Sequence, residues 1–366
     1  MSPENSIVAD GPELKFKNIL IVRTDRIGDV VLTLPLIRVL RKNFSTARIS
    51  FLARTYTEDI VQGQPGLNEV ISYDHEGVRK SFLVMLSELR HSGFDLAIVA
   101  FPRFRIALLL WLARVPMRVG SGYRWYSILF NKRVYEHRKT AMRHEFEYNL
   151  SLLRELGCDI DPDITPKMSI DSGVLRSAED ERRRLQLSDK DIVAILHPGS
   201  GGSARDWSAV NFGLLAIRLT KLGWKVVVTG ARGEESLVRE VLSQSGAWIT
   251  SSVGILSLKE MAAFIQSADL FVSNSTGPLH IAAAVGTPVI GFYPPIVACS
   301  PQRWGPVTEK KFVFVPDRIQ CGLCKGDECR GNVCMDQIKV DQVEEAAKQL
   351  VNKKGSRKSR KVQVYS

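Results

Sequence analysis

The sequence lacks the features that would place the chain in or across a membrane. Its first residues, MSPENSIVADGPELK, are polar and contain no apolar segment of the kind that a secretory leader needs. The longest strongly apolar run, IALLLWLARV at 106–115, is too short to span a bilayer and contains Arg114. We therefore expect a soluble cytoplasmic protein.

Other absences exclude whole classes of function. No G-x-G-x-x-G motif follows the first apolar segment, which disfavours a Rossmann dehydrogenase. No aromatic-rich basic module is apparent, so we expect no nucleic-acid partner although the formal net charge is +11. No repeat of solenoid type is visible either. An enzyme or a small-molecule-binding protein remains.

The positive charge is concentrated in two windows. Residues 101–143 contain ten Lys or Arg and one acid, Glu136, for a net charge of +9. Residues 353–361 contain six Lys or Arg and no acid, so the rest of the chain is net −4. A localised basic field indicates an anionic partner, such as a phosphorylated sugar or an anionic lipid head group. The alternative for both windows is a solvated basic surface, and the tail is typical of a disordered end.

Four of the six cysteines lie close together, at Cys321, Cys324, Cys329 and Cys334. In a cytosolic protein this spacing favours a metal site or reactive thiols over a disulfide framework. Four thiolates can complete the tetrahedral coordination of a structural zinc ion. No paired histidine motif supports zinc, so both interpretations stay open.

Apolar strands alternate with amphipathic helices in two successive halves of the chain. The first half opens with FKNILIVRT (16–24), and the second runs from DIVAILHPG (191–199) to TPVIGFYPP (287–295). This alternation predicts an α/β protein with two Rossmann-like domains, each built on a parallel sheet covered by helices. Ligands bind at the carboxyl ends of such strands, so we expect a central cleft between the two sheets.

We place the domain boundary in the Pro- and Asp-rich connection CDIDPDITPKMSID (158–171). The N-terminal domain with its linker is then 1–172, and the C-terminal domain is 173–352. The basic tail, 353–366, follows.

Three segments have the composition of ligand-binding loops. HPGSGGSARDW (197–207) follows a strand and combines glycines with hydroxyls and a cation, which suits a phosphate. SNSTGPLHIAAAVGTP (273–288) predicts a helix whose free N–H groups could hold an anion, with His280 beside it. GDVVLTLP (28–35) places Asp29 at the start of a helix, where a plain capping role and a catalytic role are both open.

Together these segments resemble glycosyltransferase family 9, the heptosyltransferases of lipopolysaccharide core assembly. RHEFEYNLSLLRELG (143–157) is similar to the interdomain helix of that family, and CGLC…CRGNVCMDQI (321–338) to its cysteine-bearing tail. The match runs in order along about residues 16 to 350.

The resemblance implies a GT-B fold, in which the N-terminal domain takes the acceptor and the C-terminal domain takes a nucleotide-sugar donor, usually ADP-heptose. It also implies inverting transfer that needs no metal or other cofactor. The aspartate of the Gly-Asp motif, here Asp29, would be the general base that accepts a proton from the acceptor hydroxyl.

The remaining site residues follow from the same resemblance. Those predicted to bind the donor are Ser200, Arg205, Glu234, Thr276, Gly277 and His280. Those predicted to bind an acceptor rich in Kdo carboxylates and phosphates, as in lipid A–Kdo, are Arg103, Arg118 and Arg124. For Glu234, simple stabilisation of the first helical turn is an equal alternative.

Two departures from the family leave alternatives open. Arg205 stands where many members have lysine, and Ser275 stands where members commonly have an aspartate. The alternatives are another GT-B transferase with a different sugar or acceptor, and a nucleotide-binding protein without transferase activity. We also expect the basic tail to bring the enzyme to the anionic inner-membrane surface.

Overall fold

The structure is a computed structural model, and it describes residues 16–202, 205–245, 249–317 and 334–352. Cys321, Cys324, Cys329 and the tail 353–366 lie outside these residues, so the predictions made for them concern parts of the chain that the structure does not describe. Within the described part, no helix has both the length and the apolar character needed to cross a bilayer.

Two six-stranded parallel sheets organise the chain. The first has the order β3-β2-β1-β6-β7-β8, and a separate antiparallel hairpin pairs β4 with β5. Its strands and those of the hairpin are β1 Asn18–Val22, β2 Arg48–Ala53, β3 Glu69–Ser72, β4 Asp74–His75, β5 Val78–Arg79, β6 Leu96–Val99, β7 Met117–Ser121 and β8 Lys132–Val134.

The second sheet repeats the pattern with the order β11-β10-β9-β12-β13-β14. Its strands are β9 Val193–His197, β10 Lys225–Gly230, β11 Thr250–Val253, β12 Leu270–Asn274, β13 Val289–Phe292 and β14 Lys311–Phe314. In each sheet the strand that comes first along the chain is central, so the strand order reverses beside β1 and beside β9. Loops at such reversals are where open α/β sheets bind ligands.

The α-helices are α1 Ile27–Val31, α2 Pro35–Asn43, α3 Glu58–Val61, α4 Phe82–Ser92, α5 Phe104–Leu112, α6 Glu145–Arg154, α7 Ser172–Arg184, α8 Ala209–Lys221, α9 Glu235–Ser245, α10 Leu258–Ser267, α11 Gly277–Ala284, α12 Pro301–Trp304 and α13 Val340–Asn352. They cover the faces of the two sheets, so the apolar strands are buried on both sides. Ile19, Leu20 and Ile21 of β1, for example, are fully buried.

The helix predicted to start at Asp29 is two helices in the structure. α1 ends at Val31 and α2 begins at Pro35, which occupies the first helical position. Proline suits that position because its missing N–H would have no partner there. The break keeps α1 short and places Asp29 in its only complete turn.

A further strand, β14, follows the strand predicted at 287–295. β14 pairs parallel with β13, with Val289 opposite Lys311. β14 is a short edge strand of four partly buried or exposed residues, so it has little of the continuous apolar character that marks a buried strand.

The two halves share one apolar cluster. It joins Ile37 and Ile60 of the first half to Phe264 and Leu279 of the second. The backbone N–H of Met168, in the connecting segment, also donates to Ala284 O at the end of α11 at 3.1 Å. The halves are therefore in direct contact, and the carboxyl ends of their sheets face a common space.

Candidate active site

A cavity of about 1430 Å³ lies between the two sheets, and we call it the central cavity. Its walls come from the segments that follow β1, β2, β6, β7 and β8 in the first half, and from those that follow β12 and β13 in the second. Six of the predicted site residues line it: Asp29, Arg103, Arg124, Thr276, Gly277 and His280.

Arg23 organises the acidic end of the central cavity. It directly follows β1 and is 2% exposed. Its guanidinium pairs with Asp29, with Asp25 at 2.7 Å and with Glu145 at 3.4 Å. Burial lowers the pKa of Arg23, but the three carboxylates outweigh it and raise the pKa overall. Arg23 is therefore charged and fixes three carboxylates around one point.

Asp29 is a cavity-lining carboxylate with a raised pKa. Its carboxylate lines the cavity and is 13% exposed. Burial raises its pKa to about 6, with smaller increases from the charges of Asp25 and Glu145, while Arg23 opposes the rise. A carboxylate of this pKa is ionised at neutral pH and is a stronger proton acceptor than an ordinary aspartate.

A capping role does not explain Asp29. The N-cap of α1 is Arg26, not Asp29, and it makes no side-chain capping bond within the described chain. Asp29 instead lies in the first turn with its side chain directed to Arg23. Its position thus serves the cavity rather than the helix end.

Glu145, at the first turn of α6, is a site residue that the sequence analysis missed. It is 1% exposed and pairs with Arg23, with Arg138 at 2.5 Å and with Arg303 at 3.0 Å. Burial raises its pKa, but the three arginines outweigh burial and lower it overall. Since Arg303 lies in α12 of the second half, this ion pair also joins the two halves.

Two further contacts join the same segments. His144 Nε2 donates to Gly305 O at 2.8 Å, and Gln302 Nε2 donates to Met142 O at 3.2 Å. The chain before α6 therefore holds the segment that carries Arg303, and this fixes Arg303 against Glu145.

Two glycines allow α1 and α11 to meet at the floor of the cavity. A Cβ at Gly28 would lie 2.7 Å from His280 Cδ2, and one at Gly277 would lie 2.6 Å from Ile27 Cβ. Any side chain at either position would push the helices apart. The glycines thus bring the Asp29 turn next to the amino-terminal turn of α11.

At the other end of the central cavity, the amino-terminal turn of α11 presents no charged side chain. Thr276 is the N-cap residue of α11, and its side chain makes no capping bond within the described chain, so the first N–H groups of the helix can serve a ligand. His280 is 5% exposed, and its Nδ1 has no hydrogen-bond partner among the described residues. Burial, with a smaller effect of the His144 charge, lowers the pKa of His280 to about 3, so its imidazole is neutral.

Ser200, Arg205 and Glu234 do not line the central cavity; they lie beside the carboxyl ends of β9 and β10. Ser200 is buried and donates to Asp206 Oδ2 at 3.1 Å. Glu234 accepts from the N–H of Ala231 at 2.8 Å and lies so close to Gly199 that a Cβ there would be 2.1 Å from its Oε1.

Asp206 was not predicted as a site residue. Burial raises its pKa to about 6, and the charge of Glu234 adds to the rise while Ser200 opposes it.

Asn274, at the end of β12, binds the loop that follows β9 to the cavity wall. Its side chain donates to Pro198 O at 2.7 Å and accepts from the N–H of Trp207 at 2.7 Å.

The predicted acceptor arginines divide into two groups. Arg103 and Arg124 are exposed and line the central cavity. Arg118 does not line it; its guanidinium donates to Leu129 O at 2.7 Å and to Val115 O. Arg118 therefore ties together the ends of the neighbouring loops.

Zinc has no support in the described residues. Cys334 is 1% exposed and packs in the core of the second half. Among residues 16–202, 205–245, 249–317 and 334–352, no group of three or more His, Cys, Asp or Glu could hold a metal ion.

Known proteins share this architecture. The model of the family described as glycosyltransferase family 9 (heptosyltransferase) matches residues 83–334, which is more than half of the chain. The chain is 28% identical over 312 residues to a Haemophilus influenzae protein described only as a candidate glycosyltransferase, covering 82% of this chain and 89% of that protein.

Two proteins of Escherichia coli add a more specific likeness. The chain is 29% identical over 300 residues to lipopolysaccharide heptosyltransferase 3, covering 78% of this chain and 84% of that protein. The solved structure of ADP-heptose lipopolysaccharide heptosyltransferase II superposes with a TM-score of 0.77 at 22% identity, covering 93% of this chain and 100% of that one. The two facing sheets are those of the GT-B fold, and the chain belongs to glycosyltransferase family 9.

Proposed function

We propose that this glycosyltransferase moves a heptose from ADP-heptose to the inner core of lipopolysaccharide, with inversion at the anomeric carbon and without a metal. The observation that carries the proposal is the pairing of an activated carboxylate, Asp29, with the free amino-terminal turn of α11 across one cavity. The first suits proton removal, and the second suits a departing diphosphate.

The acceptor hydroxyl would approach Asp29 from the first half of the chain. Asp29 takes its proton as the hydroxyl oxygen forms a bond to the anomeric carbon of the donor. The bond from that carbon to the phosphate oxygen breaks in the same displacement, and ADP leaves with the electron pair. Because one displacement occurs, the configuration at the anomeric carbon inverts.

The leaving diphosphate would lie at the amino terminus of α11. Thr276 and Gly277, which line the cavity at the start of α11, would donate hydrogen bonds, and the helix dipole would stabilise the growing negative charge. The neutral imidazole of His280 has an Nδ1 without a partner among the described residues, and it can add a further bond. Ser200 and Arg205 would bind the same phosphates from the β9 loop, and Glu234 the nucleoside sugar.

Arg103 and Arg124 would bind the acceptor. Both are exposed cations on the wall that is continuous with Asp29. Guanidinium groups bind carboxylates and phosphates through paired hydrogen bonds, which suits an acceptor rich in both. Arg118 is not in this set, because its guanidinium already donates hydrogen bonds to backbone carbonyls.

The test is a transfer assay read by mass spectrometry. Purified protein, with EDTA present, is mixed with a truncated lipopolysaccharide core and a panel of nucleotide sugars that includes ADP-heptose. We expect one heptose to be added, and Asp29→Asn to lower kcat by about 10²- to 10⁴-fold.

Asp25→Asn is the matched control, because it removes the same charge from Arg23 and should cost much less. Transfer of a different sugar would overturn the heptose assignment and keep the mechanism. Nucleotide binding with no transfer to any acceptor would overturn the proposed reaction.

A further inference from the structure

Apolar side chains face solvent along the outer side of α5 and the 3₁₀ turn Trp125–Leu129. On α5, Phe104 and Trp111 are 43% and 49% exposed, and their spacing of seven residues places them on one helix face. In the turn, Trp125 and Ile128 are 78% and 75% exposed, and their spacing of three residues aligns them. We call these four residues the aromatic rim.

One ring contact joins the two rows of the aromatic rim. The rings of Phe104 and Trp125 lie 4.8 Å apart between centroids, which joins the helix row to the turn row. Contiguous apolar surface of this kind is rare on soluble monomers and marks a site of interaction.

The charged residues of the segment that carries the rim are all cationic. Arg103, Arg114 and Arg124 are exposed beside it. From residue 101 to residue 135 the chain contains seven Lys or Arg and no Asp or Glu. A second copy of this chain would therefore meet like charge, whereas an anionic surface would be attracted.

The rim also borders the central cavity. Phe104 and Trp125 line the cavity, whereas Trp111 and Ile128 lie outside its lining. The rim thus extends from the acceptor side of the cavity mouth onto the outer surface. Whatever binds the rim is held at the entrance.

We propose that the aromatic rim docks on an anionic lipid bilayer. Trp and Phe side chains enter the boundary between head groups and acyl chains, while the neighbouring arginines bind the head-group phosphates. Ile128 has no flat face on which a nucleobase could stack, and its insertion into hydrocarbon explains its exposure. Docking would hold the cavity mouth at the surface where a lipid-linked acceptor resides, and only this last point rests on the proposed function.

The first test measures binding to vesicles without donor or acceptor. The full chain should sediment with vesicles of phosphatidylethanolamine and phosphatidylglycerol, and at least about tenfold less with phosphatidylcholine alone. Trp111→Ser/Ile128→Ser should weaken binding to the anionic vesicles by about tenfold or more. Ile255→Ser, which changes a 58% exposed residue of the second half, should leave it unchanged.

The second test separates the rim from the basic tail, which contains no tryptophan. Brominated acyl chains should quench the tryptophan fluorescence of the wild type. Trp111→Phe/Trp125→Phe should keep binding and lose most of that quenching. Quenching that persists in this variant, or wild-type binding of the serine variant, would overturn the proposal.

Transfer to a soluble, delipidated core oligosaccharide keeps the two proposals distinct. Trp111→Ser/Ile128→Ser should transfer to that acceptor at the wild-type rate, because neither residue lines the cavity. If the wild type transfers sugar but binds no vesicle, only the docking proposal fails. If it binds vesicles through the rim and transfers nothing, only the proposed function fails. A dimer that the serine substitutions dissociate, with no vesicle binding, would assign the rim to self-association instead.

Discussion

The two ends of the central cavity carry different kinds of chemical group. At the end that follows β1 and α6, three carboxylates and three arginines form one network: Asp25, Asp29, Glu145, Arg23, Arg138 and Arg303. At the end that α11 provides, the ligand-facing groups are a hydroxyl, backbone N–H groups and a neutral imidazole. A carboxylate that accepts a proton needs a suitable pKa, and neighbouring charges set that pKa. A departing diphosphate already carries charge, so fixed dipoles suffice to hold it.

The side chains of the charged end come from both halves of the chain. Arg303 comes from the second half and shares Glu145 with Arg23 and Arg138 of the first. Asp29, the proposed base, and the contact between the halves therefore belong to one ionic network. Changes in this network should affect both stability and catalysis.

The largest expected effect comes from removing Arg23, the cation at the centre of the charged end. Arg23→Met would leave Asp25, Asp29 and Glu145 buried without their common cation, and should lower the free energy of unfolding by about 3–5 kcal/mol at pH 7. Lowering the pH should reduce this loss, because protonated carboxyls no longer need the cation. Urea unfolding at pH 7 and pH 5 measures both quantities.

Arg118→Met is the control for that experiment. Arg118 binds backbone carbonyls, so its loss should not change with pH over this range. Equal pH dependence in the two variants would contradict the network described around Arg23.

A smaller effect is expected from a substitution where α1 and α11 are in contact. Gly277→Ala places a methyl group 2.6 Å from Ile27 Cβ, so α11 must move away from α1, at a cost of about 1–3 kcal/mol. Transfer should fall as well, because the helix terminus and Asp29 separate. Thermal unfolding and kcat measure the two effects.

Gly173→Ala provides the comparison, since its Cβ would lie 3.5 Å from its nearest neighbour, Asp171 Oδ1, in ordinary contact. An alanine there should be neutral or slightly stabilising because it favours the helix. If Gly277→Ala is equally harmless, the close approach of the two helices is not required.

The smallest expected effect is a change in the pKa of the base. Glu145 raises the pKa of Asp29 through its negative charge, so Glu145→Gln should shift the acidic limb of kcat/KM to lower pH, by less than about one unit. Glu155→Gln, at the exposed end of α6, should leave the limb in place. A shift to higher pH would mean that Glu145 acts mainly by positioning Arg23.

The alternation of strands and helices made the two-sheet architecture predictable, because buried parallel strands have to be continuously apolar. Elements without that signal were missed, among them β11, whose sequence is TSSV, and the edge strand β14. Whether Pro35 kinks one helix or begins a new one depends on packing, which no local pattern reports.

The site was predictable only where its residues are close together in sequence. Asp29, Thr276 and Gly277 stand in short motifs that a strand and a helix terminus explain. Glu145 lies 122 residues from Arg23 and 158 residues from Arg303, so no local pattern could join them. The aromatic rim could not be predicted for another reason. In the sequence, its apolar residues cannot be distinguished from those that fill a core.

The most direct test of the central claim is the dependence of kcat/KM on pH, since this ratio reports ionisations of the free enzyme. The acidic limb should have a midpoint near pH 6, the pKa to which burial raises Asp29. Below it, transfer should fall by about tenfold per pH unit, because the protonated carboxyl cannot accept the acceptor's proton. The residual activity of Asp29→Asn should show no such limb. A wild-type profile that stays flat from pH 7 to about pH 4.5, or an Asp29→Asn variant with the same limb, would contradict the assignment of Asp29 as the base.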